Sequence, residues 1–242
     1  MYICCWYNRS MTMTRLYRYF FQCLIGLCML VTAATAFAAS SESIIIHRLD
    51  LSLEPAEQAL VATDRMTLTD STDRWPDRFN LSSRAEVKSV LVDRRPARFD
   101  FSHNILTLKD RPNQSAEITI RYRAVFNDTV PAQTVGIEDP SYGIEATITP
   151  QGAFLSRNAN WAPAAAGYLD RFLISVDAPA GLIAVTNGSL EGIEHANKRT
   201  RTTWQSQTPQ QGTTLAAGHY QVQRQSLGRI EVMTFLTADN TM

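Results

Sequence analysis

Four imidazoles are available to this chain: His47, His103, His195 and His219. A catalytic zinc needs two imidazoles on one face of a helix, a third ligand, and a carboxylate to take a proton from the metal-bound water. His-Glu-x-x-His meets that need because positions i and i+4 face the same way; the sequence contains neither that pattern nor His-x-His. Strand periodicity places His47 and His219 on strands, and His103 and His195 in turns. Serine chemistry is equally thin. Gly188-Ser189-Leu190-Glu191-Gly192 has the residue types of a nucleophile elbow at the wrong spacing, and it follows a hairpin signal, so it reads as a turn. Glu138 and Asp139 are adjacent carboxylates in a loop rich in proline and glycine, where an acid can be offered to a substrate held by another domain. With Tyr142 and Trp161 they are the candidates for a cleft-facing loop. No residue is assigned a catalytic, metal-binding or cofactor-binding role.

Aromatic residues offer a second chemistry. Trp75, Trp161 and Trp204, with Tyr142, Tyr168 and Tyr220, have the composition of a stacking platform for sugar rings, although tryptophans in this number are also ordinary core material. Trp204 falls inside a strand pattern, which favours packing. Trp161 lies between Asn158-Ala159-Asn160 and Pro163, which implies a loop. No phosphate-cradling glycine loop and no basic stripe for nucleic acid is present. The chain carries 23 basic and 23 acidic residues, so no global field recruits nucleic acid or anionic lipid.

Strands must position whatever these residues do. Across 44–54, Leu49, Leu51 and Leu53 alternate with Arg48, Asp50, Ser52 and Glu54, the period of a half-buried strand. Residues 59–68 repeat the pattern after a turn at Pro55-Ala56-Glu57. Between residues 116 and 126, Ile118, Ile120, Tyr122, Ala124 and Phe126 share one face. A hairpin is expected around Ser102-His103-Asn104, and a long loop from Asn127 to about Gln151. Phe172, Ile174 and Val176 line a further strand that Pro179 and Gly181 terminate. Asn187-Gly188 reads as a hairpin turn, and 200–205, 215–223 and 230–236 complete about a dozen strands. The expected fold class is all-β: a β-sandwich or saddle-shaped pair of antiparallel sheets.

The first 38 residues read as targeting rather than fold. Arg15 and Arg18 precede an apolar stretch from Phe20 to Thr35, and Ala36-Phe37-Ala38 supplies a small-x-small cleavage pattern. Cleavage between Ala38 and Ala39 would release 39–242 as an exported, periplasmic or extracellular domain; retention would leave a membrane anchor. Cys4, Cys5, Cys23 and Cys28 all precede the cleavage site, so residues 39–242 hold no disulfide, thiolate nucleophile or cysteine-ligated zinc.

Two blocks of residues carry a resemblance. One runs Phe154-Leu155, then Trp161-Ala162-Pro163, then a strand ending in DAPAGLIAVTNGSLEG, followed by WQSQTPQQGTTLAAGHYQV and IEVMTFL. The other is the opening IIIHRLDLSLEPAEQALVATDRMTLT. Their order and spacing resemble the N-terminal domain of the aminopeptidase N-like zinc metallopeptidases over most of 44–238, most weakly between 70 and 150. The resemblance implies a β-saddle packed against a thermolysin-like catalytic domain and helping to wall its peptide cleft. In that family the zinc helix (HExxH) and the exopeptidase GxMEN loop lie in the catalytic domain, and neither motif occurs here. The resemblance thus implies a non-catalytic domain or fragment of an exported zinc aminopeptidase, inactive alone, with no cofactor of its own and a zinc-peptidase domain as partner, in cis or as a separate chain. The alternative is a free-standing exported β-sandwich that binds glycan or peptide on its aromatic surface.

Overall fold

Strand β1 (Ile44–Glu54) buries every second side chain, Ile45, His47, Leu49, Leu51 and Leu53, in the alternation its leucines announce. The computed structural model describes residues 43–69, 74–110, 112–113, 116–130, 143–228 and 230–237, all within one unit. The expected targeting segment, the Ala38–Ala39 junction expected for its cleavage, and the candidates Glu138, Asp139 and Tyr142 lie outside these residues.

A one-turn 3-10 segment, Pro55–Glu57, reverses the chain, and β2 (Ala59–Leu68) returns antiparallel to β1. On its other side β1 pairs with β11 (Leu169–Pro179), and that ladder is parallel, from Ile44↔Leu169 to Ser52↔Asp177. Among the described residues it is the exception, the other ladders running antiparallel. Around this trio the large sheet is completed by β8 (Ile118–Val125), β4 (Ala85–Val92) and β5 (Arg95–Pro96) beyond β2, and by β14 (Arg199–Gln205) and β13 (Ser189–Ala196) beyond β11. The order is β13-β14-β11-β1-β2-β8-β4-β5.

Three smaller sheets accompany it. One has the order β12 (Ile183–Thr186), β15 (Leu215–Gly218), β10 (Gly152–Leu155), β9 (Ala146–Thr149); another is β3 (Arg78–Asn80), β7 (Ile105–Leu108), β6 (Phe99–Ser102). A two-stranded ribbon of β16 (Tyr220–Leu227) and β17 (Ile230–Thr237) closes the described chain. The core forms where Leu49, Leu51, Ile120, Tyr122, Phe172 and Ile174 of the large sheet meet Phe79, Leu106, Ile148 and Leu155 of the small ones. Each such side chain contributes on the order of 2 kcal/mol by leaving water. The outer face of the large sheet stays open to solvent, so its residues alternate to Arg48, Asp50, Arg65 and Arg121.

Several expectations are corrected. Asn187-Gly188 makes no hairpin, because β12 pairs with β15 and β13 pairs with β14, in different sheets. Gly188 is needed for a close approach: at its φ of +117° a Cβ would stand 2.2 Å from the Gln205 carbonyl oxygen. Tight two-residue turns with both φ values positive occur instead at Asp93-Arg94, His103-Asn104 and Asn197-Lys198. These suit the right-handed twist of paired strands. The expected strand at 215–223 is two strands broken at His219, so His219 sits in a bend, whereas His195 lies on β13. The expected loop at 127–151 contains β9, and Asn127 bridges to Thr147.

Candidate functional site

Three polar residues occupy core positions at the centre of the large sheet. His47 is in phase with the buried leucines of β1, Asp64 with Leu60, Ala62 and Met66 of β2, and Asp170 with Phe172 and Ile174 of β11. Register explains how they meet. Opposite His47 lie Met66 on one side and Phe172 on the other, while Asp64 pairs with Leu49 and Asp170 with Ile45. The carboxylates are therefore displaced in opposite directions along β1 and reach opposite ends of the imidazole. Nδ1 lies 2.7 Å from Asp64 Oδ2, and Nε2 lies 3.2 Å from Asp170 Oδ1.

Burial opposes a charge on His47, but the attraction and hydrogen bonds of Asp64 and Asp170 outweigh it and push the pKa up to about 9. At neutral pH the ring is an imidazolium that donates to both carboxylates. The Phe172 ring packs over it with centroids 4.7 Å apart. Tyr122, fully buried nearby, has its phenol pushed well up by desolvation and by the negative charge of Asp64. Its hydroxyl donates to the Trp161 carbonyl at 2.8 Å.

Asp170 links this buried cluster to the surface. Its Oδ2 accepts from the Gly212 amide, and its backbone exchanges two hydrogen bonds with Gln210. The loop so held forms one side of a cleft of about 580 Å³; the segment 157–168 forms the other. That segment is pinned where Asn80 and Ala164 exchange backbone hydrogen bonds and where Ser82 N donates to Asn160 O. Trp161 stands in the loop expected for it and contributes to the cleft wall, but it is only 1% exposed and its Nε1 donates to the Thr213 carbonyl.

The cleft lining sets the amides Asn80, Asn158, Asn160 and Gln211, with Thr213 and the cation Arg157, against the apolar stretch 161–166. Its carboxylate, Asp170, is capped by His47 and Gly212. Such a lining can hold a polar ligand by hydrogen bonds, and offers it no nucleophile with an adjacent free base. Zinc does not fit the cluster behind it. Carboxylates at opposite ends of one ring cannot converge on a single ion, and among the described residues no group of three His, Cys, Asp or Glu side chains could hold one.

The aromatic candidates among the described residues do not gather on one surface. Trp75, Trp161 and Trp204 are all buried, at 2%, 1% and 2% exposure, so the glycan-stacking platform does not form from them. Trp204 Nε1 donates to the Ala184 carbonyl across the two sheets. The His47 cluster had a sequence signal that the apolar pattern obscured: three ionisable residues, each in phase with a run of core side chains.

No family model matches the chain, and no curated protein matches it in sequence. Solved structures do match. An M1 zinc metallopeptidase from Deinococcus radiodurans, bound to a Tyr-Ser-Ala substrate, superposes with a TM-score of 0.61 at 15% identity, over 84% of this chain and 50% of that one. The same peptidase in another crystal structure gives a TM-score of 0.60 at 14% identity. Legionella pneumophila aminopeptidase A in complex with aspartic acid gives 0.59 at 12% identity, over 85% of this chain and 25% of that one. The resemblance read from the sequence is thus matched by a shared fold, and this chain spans about half the length of the Deinococcus structures.

Proposed function

We propose that residues 39–242 are the non-catalytic, all-β part of an exported zinc aminopeptidase, and that they wall the peptide cleft of a zinc-binding domain carried outside these residues, in cis or on a separate chain. The observation that carries this reading is the coverage of the structural match: most of this chain against half of a zinc peptidase chain. Two features of the described residues support it. The cleft has hydrogen-bonding capacity without acid–base machinery, which suits a wall. The β16–β17 ribbon turns Leu227, Ile230, Val232 and Leu236 to one exposed face, which suits a surface that a neighbouring domain covers. Export rests on the Arg15/Arg18, apolar and Ala36-Phe37-Ala38 sequence pattern, and predicts a mature N-terminus at Ala39.

Two measurements on the purified mature protein test the reading. It should retain no stoichiometric zinc after dialysis and should not hydrolyse aminoacyl anilides. Adding the zinc-peptidase domain encoded by the same source should give a stable complex that does hydrolyse them. One tightly held zinc per chain, or hydrolysis by the chain alone, overturns the proposal.

A further inference from the structure

We propose that the open face of the eight-stranded sheet binds an acidic polysaccharide along a staircase of arginines, Arg171, Arg48, Arg65 and Arg121, one from each of the adjacent strands β11, β1, β2 and β8. The register places them. Arg48 lies directly opposite Arg65; Arg171 is opposite Ile46, two residues from Arg48's row; and Arg121 is opposite Thr63, two residues from Arg65's row. Adjacent strands lie about 5 Å apart and alternate residues about 7 Å apart, so each step is roughly 5–8 Å.

Charge on this face is not balanced internally. Asp50 is shared, one oxygen 2.8 Å from Arg65 and the other 2.9 Å from Arg201. Among the described residues Arg48, Arg121 and Arg171 have no carboxylate partner, and the Nε of Arg171 is buried without an acceptor. Like charges directly across a ladder, as at Arg48 and Arg65, disfavour folding. An external anion would relieve them. Elsewhere on the same sheet Arg123 is matched with Glu57, and Arg199 with Asp177 and Glu54. The zero net charge of the chain conceals a local surplus.

The neighbours of the arginines select the polymer. Thr63 and Thr67 place hydroxyls in the rows of Arg121 and Arg171, the aliphatic Ile46 and Leu173 stand directly across from Arg171 and Arg48, and Ser175 and Thr203, bonded to one another, add hydroxyls at the edge of the same face. Guanidinium forks pair with carboxylate or sulfate, and hydroxyls pair with hydroxyls. That combination fits a sugar chain carrying regularly spaced acids. No aromatic ring interrupts the rows to stack a base, which disfavours single-stranded nucleic acid. This surface is distinct from the cleft, and the proposal stands apart from the peptidase reading.

The test uses the mature protein and fluorescein-labelled polygalacturonate at low salt, with dextran sulfate as the sulfated arm and neutral dextran as the blank. Binding to one or both acidic polymers is expected, with loss on adding salt. Arg48→Gln/Arg121→Gln/Arg171→Gln should weaken it at least about tenfold. Arg78→Gln/Arg98→Gln/Arg224→Gln, which removes the same charge elsewhere, should leave it within about twofold. The exposed pair Arg48→Gln/Arg121→Gln serves if the triple variant misfolds by circular dichroism. No binding of either acidic polymer, equal loss in the control variant, or equally tight binding of poly-glutamate or an oligonucleotide would each overturn the proposal.

Discussion

His47 and Asp170 are 123 positions apart in the chain and meet in the core, Nε2 against Oδ1 at 3.2 Å. The contact exists because β1 and β11 pair in parallel, which brings the first described strand beside one that follows nine others. With Asp64 at the opposite nitrogen, a single imidazolium ties β2, β1 and β11 together, and through Asp170 it also holds the loop at 210–212.

This coupling makes stability depend on pH in a definite direction. The folded-state pKa of His47 is raised from 6.5 to about 9, so folding favours the protonated ring. Its contribution is complete below pH 6.5 and disappears as pH rises through 9. The shift corresponds to about 3 kcal/mol. Urea titrations from pH 6 to 10 should show the midpoint falling across that window in the wild type. The fall should be absent in His47→Gln.

Removing one partner should cost more than removing an exposed ion pair. Asp64→Ala leaves a buried imidazolium with a single carboxylate, and should destabilise by about 3–5 kcal/mol. Arg98→Ala, which breaks the exposed pair with Asp110, should leave the unfolding midpoint almost unmoved. Denaturant unfolding of the two variants, monitored by tryptophan fluorescence, makes the comparison.

The sequence made much of this legible and left some of it hidden. Alternation located β1 and β2, because one face of each is buried and the other wet, and a period of two survives only under that asymmetry. Nothing local signals that β1 pairs with β11, since register between distant strands is decided by tertiary packing. The dipeptide Asn187-Gly188 misled because glycine serves two purposes. A hairpin needs its positive φ, and so does a chain crossing between sheets against the Gln205 carbonyl. Likewise the three tryptophans could line a surface or fill a core by composition alone; the hydrogen bonds Trp161–Thr213 and Trp204–Ala184 satisfied the second option.

Gly188 and Gly192 separate these two demands. At Gly188 an added Cβ would meet the Gln205 carbonyl oxygen at 2.2 Å, with φ at +117°, so Gly188→Ala should cost more than about 2 kcal/mol. Gly192 has open space within 4 Å and no positive φ; Gly192→Ala should change stability by no more than about 0.5 kcal/mol. Thermal melts of both variants would show a displaced midpoint for the first alone.

The β16–β17 ribbon supplies the last prediction. Its inner face is tethered, with Phe235 6.1 Å from Trp204 and 5.9 Å from Tyr220 between ring centroids. Its outer face presents Ile230 at 65% and Leu227 at 57% exposure, directly paired across the turn. A two-stranded ribbon with aliphatic side chains outward gains little from those side chains in the isolated domain and offers an edge and a face for association. Leu227→Ser with Ile230→Ser should therefore change the unfolding free energy by less than about 1 kcal/mol, since neither side chain leaves water on folding to any large extent. The same variant should bind less of a hydrophobic dye and stay monomeric to higher concentration in light scattering. If instead it unfolds at markedly lower temperature, the ribbon's outer face is part of the domain's own core, and the covering role assigned to it under the aminopeptidase reading is lost.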